Sequence, residues 1–213
     1  MRTIIIDYNT GNLHSVKKSF QLVAAEFNAG EVIVSDRPEE IAKADRVVLP
    51  GVGSFDTCRN ELFSKLGLFD AIYHRVIKES YPLLGICVGH QLLATTGSEN
   101  NCTTPGLNWV PGDVVQISTS NPSLKIPHMG WNSLQFDYSH SLLDGISANS
   151  HMYFVHSYHL IPDDYRHRLS HVQYGSEITA AVVNGNIVGT QFHPEKSQGA
   201  GLTFIRNFLL WKP

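Results

Sequence analysis

"YPLLGICVGHQLL" (81–93) runs an apolar segment into Cys87, held between Gly85 and Gly89, and then into a helical pattern. Five residues, "GICVG", have the glycine–x–nucleophile–x–glycine form of a turn between a strand and a helix. A nucleophile on such a turn sits at strained dihedrals, so small residues are needed two positions before and two after it. The turn would expose the sulfur at the carboxyl end of a sheet, where open α/β folds bind ligands. A helix starting there favours thiolate over thiol, and the Val88 N–H would face a developing oxyanion. Taken alone, the pattern fits a buried structural cysteine equally well.

Working outward, the first half alternates strand and helix signals. "TIIID" (3–7), "EVIVS" (31–35), "RVVLP" (46–50) and "PLLGI" (82–86) read as buried strands. Between the first two, Leu13, Val16, Phe20, Val23 and Phe27 recur at helical spacing on one face. "LFSKLGLFDAIYHRVIKES" reads as helix broken at Gly67, and a helix is expected from Cys87 to about Thr95. Such alternation implies a parallel sheet with helices on both faces. After Gly97 the chain reads as strands separated by Gly, Pro and Asn, with a hairpin turning at Asn184–Gly185 in "VNGNIV". "GAGLTFIRNFLLW" closes it as a helix packed through Leu202, Ile205, Phe208 and Leu209. The expected class is α/β, a mostly parallel, flavodoxin-like central sheet flanked by helices with additional antiparallel strands, in one domain over 1–213.

The chain has 213 residues, 42% hydrophobic and 16% charged, with a formal charge of -3. That balance gives no reason to expect nucleic acid as a partner. No apolar stretch is long enough to span a bilayer or serve as a signal-peptide core, so no membrane association is expected. Cys58, Cys87 and Cys102 form no even framework and no CxxC pair, which favours a reducing, cytoplasmic setting with Cys58 and Cys102 as free thiols. No metal site is expected: the cysteines are scattered, and His156 and His159 lie three apart on one expected strand, facing opposite ways.

A thiol needs a base, and "TQFHPEKS" supplies one. His193 and Glu195 are two apart, so in extended backbone they project to one side, and Pro194 keeps His193 out of helix. A carboxylate beside the imidazole fixes its tautomer and supports the imidazolium. A Cys87–His193–Glu195 triad follows, in that chain order. "LPGVGSF" (49–55) lacks the lysine of a phosphate loop. With Gly51 and Gly53 around Val52, it can instead offer further backbone donors to an oxyanion.

"GICVGHQ" with "QFHPEKS" resembles the class I (triad) glutamine amidotransferases. "IIIDYNTGNLHSV", "LPGVGSF", "PHMGWN" and "YFVHSYH" are similar, within that family, to the glutaminase subunits of imidazole glycerol phosphate synthases. The resemblance runs from residue 3 to about 208. It implies that Cys87 attacks the side-chain amide of L-glutamine, with His193 and Glu195 completing the triad and backbone at Val52, Gly53 and Val88 holding the oxyanion. It further implies that Gln91, His156, Ser157 and Tyr158 bind glutamine, and that no cofactor is used. The released ammonia would pass directly to a (βα)8-barrel cyclase subunit in a heterodimer, serving histidine biosynthesis. Trp131 and Lys196 match positions near that interface; for Trp131, core packing is the alternative. Val88 and His90 depart from the commoner Leu and Met of the family, and no catalytic role is expected for His90. "TTGSENNCTTPGLNW" reads as an exposed loop. Rival readings are a paralogue feeding ammonia to another acceptor such as a cell-surface sugar, a cysteine peptidase of similar fold, and a non-catalytic scaffold, which would not need Cys87, His193 and Glu195 together.

Overall fold

A computed structural model describes residues 1–99 and 102–213. Apolar runs form the parallel strands β1 (Arg2–Ile6), β2 (Glu31–Ser35), β3 (Arg46–Gly51) and β4 (Leu83–Cys87), and β3 and β4 are buried at every position. Burial on both faces is what continuous apolar strands of a parallel sheet require. The helices among them are α1 (Leu13–Glu26), the single turn α2 (Pro38–Ile41), α3 (Phe55–Ser64), α4 (Leu68–Tyr73) and α5 (Val88–Gln91). Asn12 caps α1 by accepting from Ser15 N–H, and Ser54 caps α3 by accepting from Thr57 N–H, each satisfying an otherwise unpaired donor. Gly67 marks the expected break, at φ +73° ahead of α4.

Strand pairs dominate the rest: β5 (Thr96–Glu99), β6 (Cys102–Pro105), β7 (Gly112–Gln116), β8 (His128–Ser133), β9 (Gln135–Phe136), β10 (His151–His156), β11 (Tyr158–Pro162), β12 (Arg168–Gln173), β13 (Glu177–Asn184) and β14 (Ile187–Thr190). The main sheet runs β2-β1-β3-β4-β14-β13-β12-β9. Its first five strands are mutually parallel and the remaining pairings antiparallel. Thus β14, far along the chain, lies beside β4, with Thr190 paired to Ile86. A four-stranded sheet, β11-β7-β5-β6, and a two-stranded one, β10-β8, complete the molecule. The terminal helix α6 (Gln198–Leu210) packs on α1, Phe20 meeting Phe208 edge-on at 6.4 Å, while α3 packs against α5.

Five expectations change. Phe27 caps α1 and is 39% exposed rather than completing its buried face. The helix after Cys87 stops at Gln91, because the Leu92, Leu93 and Ala94 carbonyls accept hydrogen bonds from residues 107–110 instead of continuing it. The polar segment after Thr95 is not a plain loop: β5 and β6 pair antiparallel, with Glu99 opposite Cys102, while Asn100 and Asn101 lie outside the described residues. The late hairpin turns one residue later than expected, since Asn184 pairs with Ile187 and leaves Gly185 and Asn186 as the loop. Finally, the strand "HMYFVHSYHLI" breaks at Ser157, so His156 ends β10, His159 lies in β11, and both are buried.

Candidate active site

Cys87 is the last residue of β4 and stands at φ +55°, ψ -110°, a region that a side-chain-bearing residue enters only at a cost. The glycines around it are steric necessities. A Cβ on Gly85 would lie 2.5 Å from the Gly89 carbonyl oxygen, and one on Gly89 would lie 1.9 Å from that of Leu49. The elbow is therefore pressed onto β3, and Gly51 pairs with Cys87 in the ladder.

Three residues past β14, His193 is held in extended backbone, φ -95° and ψ 98°. Its N–H donates to the Tyr153 carbonyl at 2.9 Å, and its own carbonyl accepts from Ser197 Oγ at 2.6 Å. The chain then makes a 3-10 turn, Pro194–Lys196, instead of the extended run expected, and that turn brings Glu195 back under the ring. Nδ1 of His193 and Oε1 of Glu195 are 2.8 Å apart, and the carboxylate is closed to solvent. Since a carboxylate accepts, Nδ1 carries the hydrogen and Nε2 is left for chemistry. Nε2 is buried with no hydrogen-bond partner. Burial alone would push the imidazole pKa down, but the Cys87 sulfur and the Glu195 carboxylate outweigh it and raise the value to about 10.

Cys87 and His193 open onto one cavity of roughly 340 Å³. Val52, Gly53, Val88, Gln91, His156, Ser157 and Tyr158 line it with them. Gly53 adopts φ +112°, a conformation suited to glycine. Trp131 and Lys196 stay outside. Trp131 is 46% exposed on β8, which removes core packing as its role. Lys196 is exposed too, and the two share a neighbour: the Tyr153 ring lies 5.9 Å from Trp131 and 5.7 Å from the Lys196 ammonium. Among the described residues, no group of three or more His, Cys, Asp or Glu is placed to hold a metal ion.

The chain matches the family model for class-I glutamine amidotransferases over residues 4–211. It belongs to that family. Its most similar relatives include the imidazole glycerol phosphate synthase subunit HisH of Cereibacter sphaeroides, 54% identical, and that of Ruegeria pomeroyi, 53% identical, each covering 100% of both chains. Two amidotransferase crystal structures share its fold. One has a TM-score of 0.70 at 16% identity, covering 96% of this chain and 98% of its own; the other, from Thermotoga maritima, scores 0.60 at 18% identity, covering 92% and 76%. The three free cysteines of this amidotransferase differ sharply in setting: Cys58 is buried, Cys102 is exposed, and only Cys87 meets the cavity. Burial pushes the Cys58 thiol up to about 11, and its Sγ donates to the Val52 carbonyl at 3.4 Å. His90 is fully buried with neither ring nitrogen bonded, and burial pushes it down to about 3.

Two residues of the amidotransferase site escaped the sequence reading. Gln191, fully buried, directs Nε2 at the Cys87 sulfur at 3.8 Å while its Oε1 accepts from Gln91 at 3.0 Å. It lies in a bend two residues before His193, where no pattern in the sequence sets it apart from other polar residues. Glu99 lines the cavity and accepts from the Phe55 N–H at 2.8 Å. It lies in the segment read as a loop.

Proposed function

We propose that this chain is the glutaminase subunit of an imidazole glycerol phosphate synthase, a single amidotransferase unit over 1–213 that works in the cytoplasm as a heterodimer with a (βα)8-barrel cyclase. The observation that carries this reading is the Cys87 elbow and the Glu195-bonded ring of His193 opening onto one cavity, each at or just past the end of one of two neighbouring parallel strands. Full-length identity of 54% to a HisH subunit supports the choice of synthase.

His193 Nε2 takes the Cys87 thiol proton as the sulfur attacks the side-chain amide carbon of glutamine, and the carbonyl oxygen becomes an oxyanion held by backbone N–H groups around Val52, Gly53 and Val88. His193 Nε2 gives its proton to the departing nitrogen, which leaves as ammonia, and a glutamyl thioester remains. Nε2 then takes a proton from water, whose oxygen attacks the thioester carbon; the carbon–sulfur bond breaks, glutamate leaves, and Nε2 returns the proton to the sulfur. Glu195 holds the ring and the charge it carries. Gln91 spends both N–H groups, on the Tyr158 carbonyl at 2.9 Å and on Gln191. Only its Oε1 remains, an acceptor suited to the substrate ammonium, with Glu99, His156 and Ser157 lining the same cavity. Exposed Trp131 and Lys196 sit where a cyclase would cover them.

Glutamate release, measured alone and with the cyclase, tests the assignment. Slow turnover alone and strong stimulation in the complex are expected; equal turnover overturns the coupling. Cys87→Ser lowers turnover at least about a thousandfold, and parental turnover in that variant refutes the nucleophile.

A further inference from the structure

A buried chain of hydrogen bonds leads from β8 to the cavity, and its direction is set at both ends by backbone groups. At the far end, Asn132 Oδ1 accepts from Ser133 N–H at 2.8 Å, so its amide orientation is determined. Its Nδ2 then donates to the Gln173 carbonyl at 3.0 Å and faces Nε2 of His128 at 3.2 Å. At the near end, His156 Nδ1 is 2.8 Å from the Tyr158 carbonyl, which only accepts, so that nitrogen carries the hydrogen. Between them, His128 Nδ1 and His156 Nε2 are 3.0 Å apart. Both rings are buried, and burial pushes His128 down to about 4 and His156 to about 3, so each is neutral with one hydrogen. Only one assignment satisfies every contact. His128 carries its hydrogen on Nδ1 and donates it to His156 Nε2, while its own Nε2 accepts from Asn132.

We propose that His128 is a positioning residue for glutamine binding: its Nδ1–H locks the tautomer of His156, and through His156 it holds the Tyr158 carbonyl on which Gln91 is anchored. Phe154 and Tyr174 fix the His128 ring, with centroids at 4.9 and 4.1 Å. The relay continues to the sulfur, since Gln91 donates to Gln191 and Gln191 to Cys87. Without the His128 hydrogen, His156 Nε2 is a buried acceptor left unpaired, and its ring is free to turn from the carbonyl. β8 has period-two alternation, so Met129 and Trp131 face solvent while His128 is buried and Asn132 half-buried. A partner seated on the outer face thus bears on the strand that positions the substrate end. The proposed effect on glutamine binding rests on the glutaminase reading above; the tautomer assignment does not.

Two measurements on the full chain separate them. Nitrogen-15 spectra of histidine-labelled protein near neutral pH should show His128 and His156 neutral with the hydrogen on Nδ1, with assignments made from His128→Asn and His156→Asn. Either ring found with its hydrogen on Nε2 overturns the proposal whatever the activity. In the cyclase complex, His128→Phe should raise KM for glutamine about tenfold, the cost of one buried hydrogen bond, with kcat within about threefold. His128→Asn, whose amide nitrogen takes the place of Nδ1, should recover most of that loss. A KM within twofold of the parent in His128→Phe, or no recovery with Asn, overturns the positioning role. If His128→Phe does not fold, the Asn variant and the parental spectra decide. Absence of glutamate release in the parent complex would defeat the functional reading and the kinetic claim while leaving the tautomer result standing.

Discussion

His193 Nδ1 and Glu195 Oε1 meet at 2.8 Å inside a tight turn, with the carboxylate wholly shielded from water. The carboxylate selects the tautomer that leaves Nε2 toward the cavity. Replacing it with an amide keeps the size but loses the charge that supports the imidazolium. Glu195→Gln is therefore expected to lower kcat about a thousandfold with little change in KM, measured as glutamate release in the complex.

The Cys87 sulfur is one of the groups holding His193 up at about 10. In Cys87→Ala that support goes while burial, which favours the neutral ring, remains. The His193 titration should move down from about 10, read by NMR over a pH range that brackets both midpoints. An unmoved titration would show that the sulfur and the ring do not interact.

His90 sits sealed beneath β14, where a Cβ on Gly189 would lie 2.4 Å from its Nδ1. Its folded pKa of about 3 is below the ordinary value, so between pH 6.5 and about 3 the unfolded chain takes up a proton that the folded one refuses. Stability at this site is complete above pH 6.5 and falls on acidification by up to about 1.4 kcal/mol per pH unit. His90→Met removes that loss and two unbonded nitrogens. It should unfold at lower pH than the parent in acid denaturation, and keep glutaminase activity in the complex. A hundredfold loss of activity would assign His90 a catalytic role instead.

Gly89→Ala drives a methyl into the Leu49 carbonyl. The elbow must open from β3 to admit it, at a cost of about 2–3 kcal/mol and roughly 5–10 °C in melting temperature. Activity should vanish with it, because Cys87 shares the displaced backbone.

Trp131 tests the proposed docking face without lining the cavity. At 46% exposure, its removal should leave the melting temperature of the free chain within about 1 °C. Affinity for the cyclase in Trp131→Ala should fall about tenfold or more, measured by calorimetric titration.

The parallel core was legible because β1, β3 and β4 are short apolar runs with punctuated helices between them, and local pattern alone identifies these. Gly85, Cys87 and Gly89 announced the turn through spacing that only a backbone needing bare Cα atoms demands. The length of α5 was hidden, since what ends it is a set of hydrogen bonds to residues 107–110 rather than a proline or glycine. Glu195 was found by the wrong geometry: it reaches His193 through a turn, not along a strand. Gln191 and His128 were missed because a buried amide or imidazole looks like any polar residue until its partners, distant in sequence, are known. The β10-β8 and β11-β7 pairings are of that kind too.

The pairing of β4 with β14 ties assembly of the site to the order in which the chain is made. The thiol leaves the ribosome well before the imidazole that activates it, and their separation is fixed by a ladder that cannot close until the later strand arrives. Until that internal strand of the sheet has docked, Cys87 and His193 belong to separate parts of the chain.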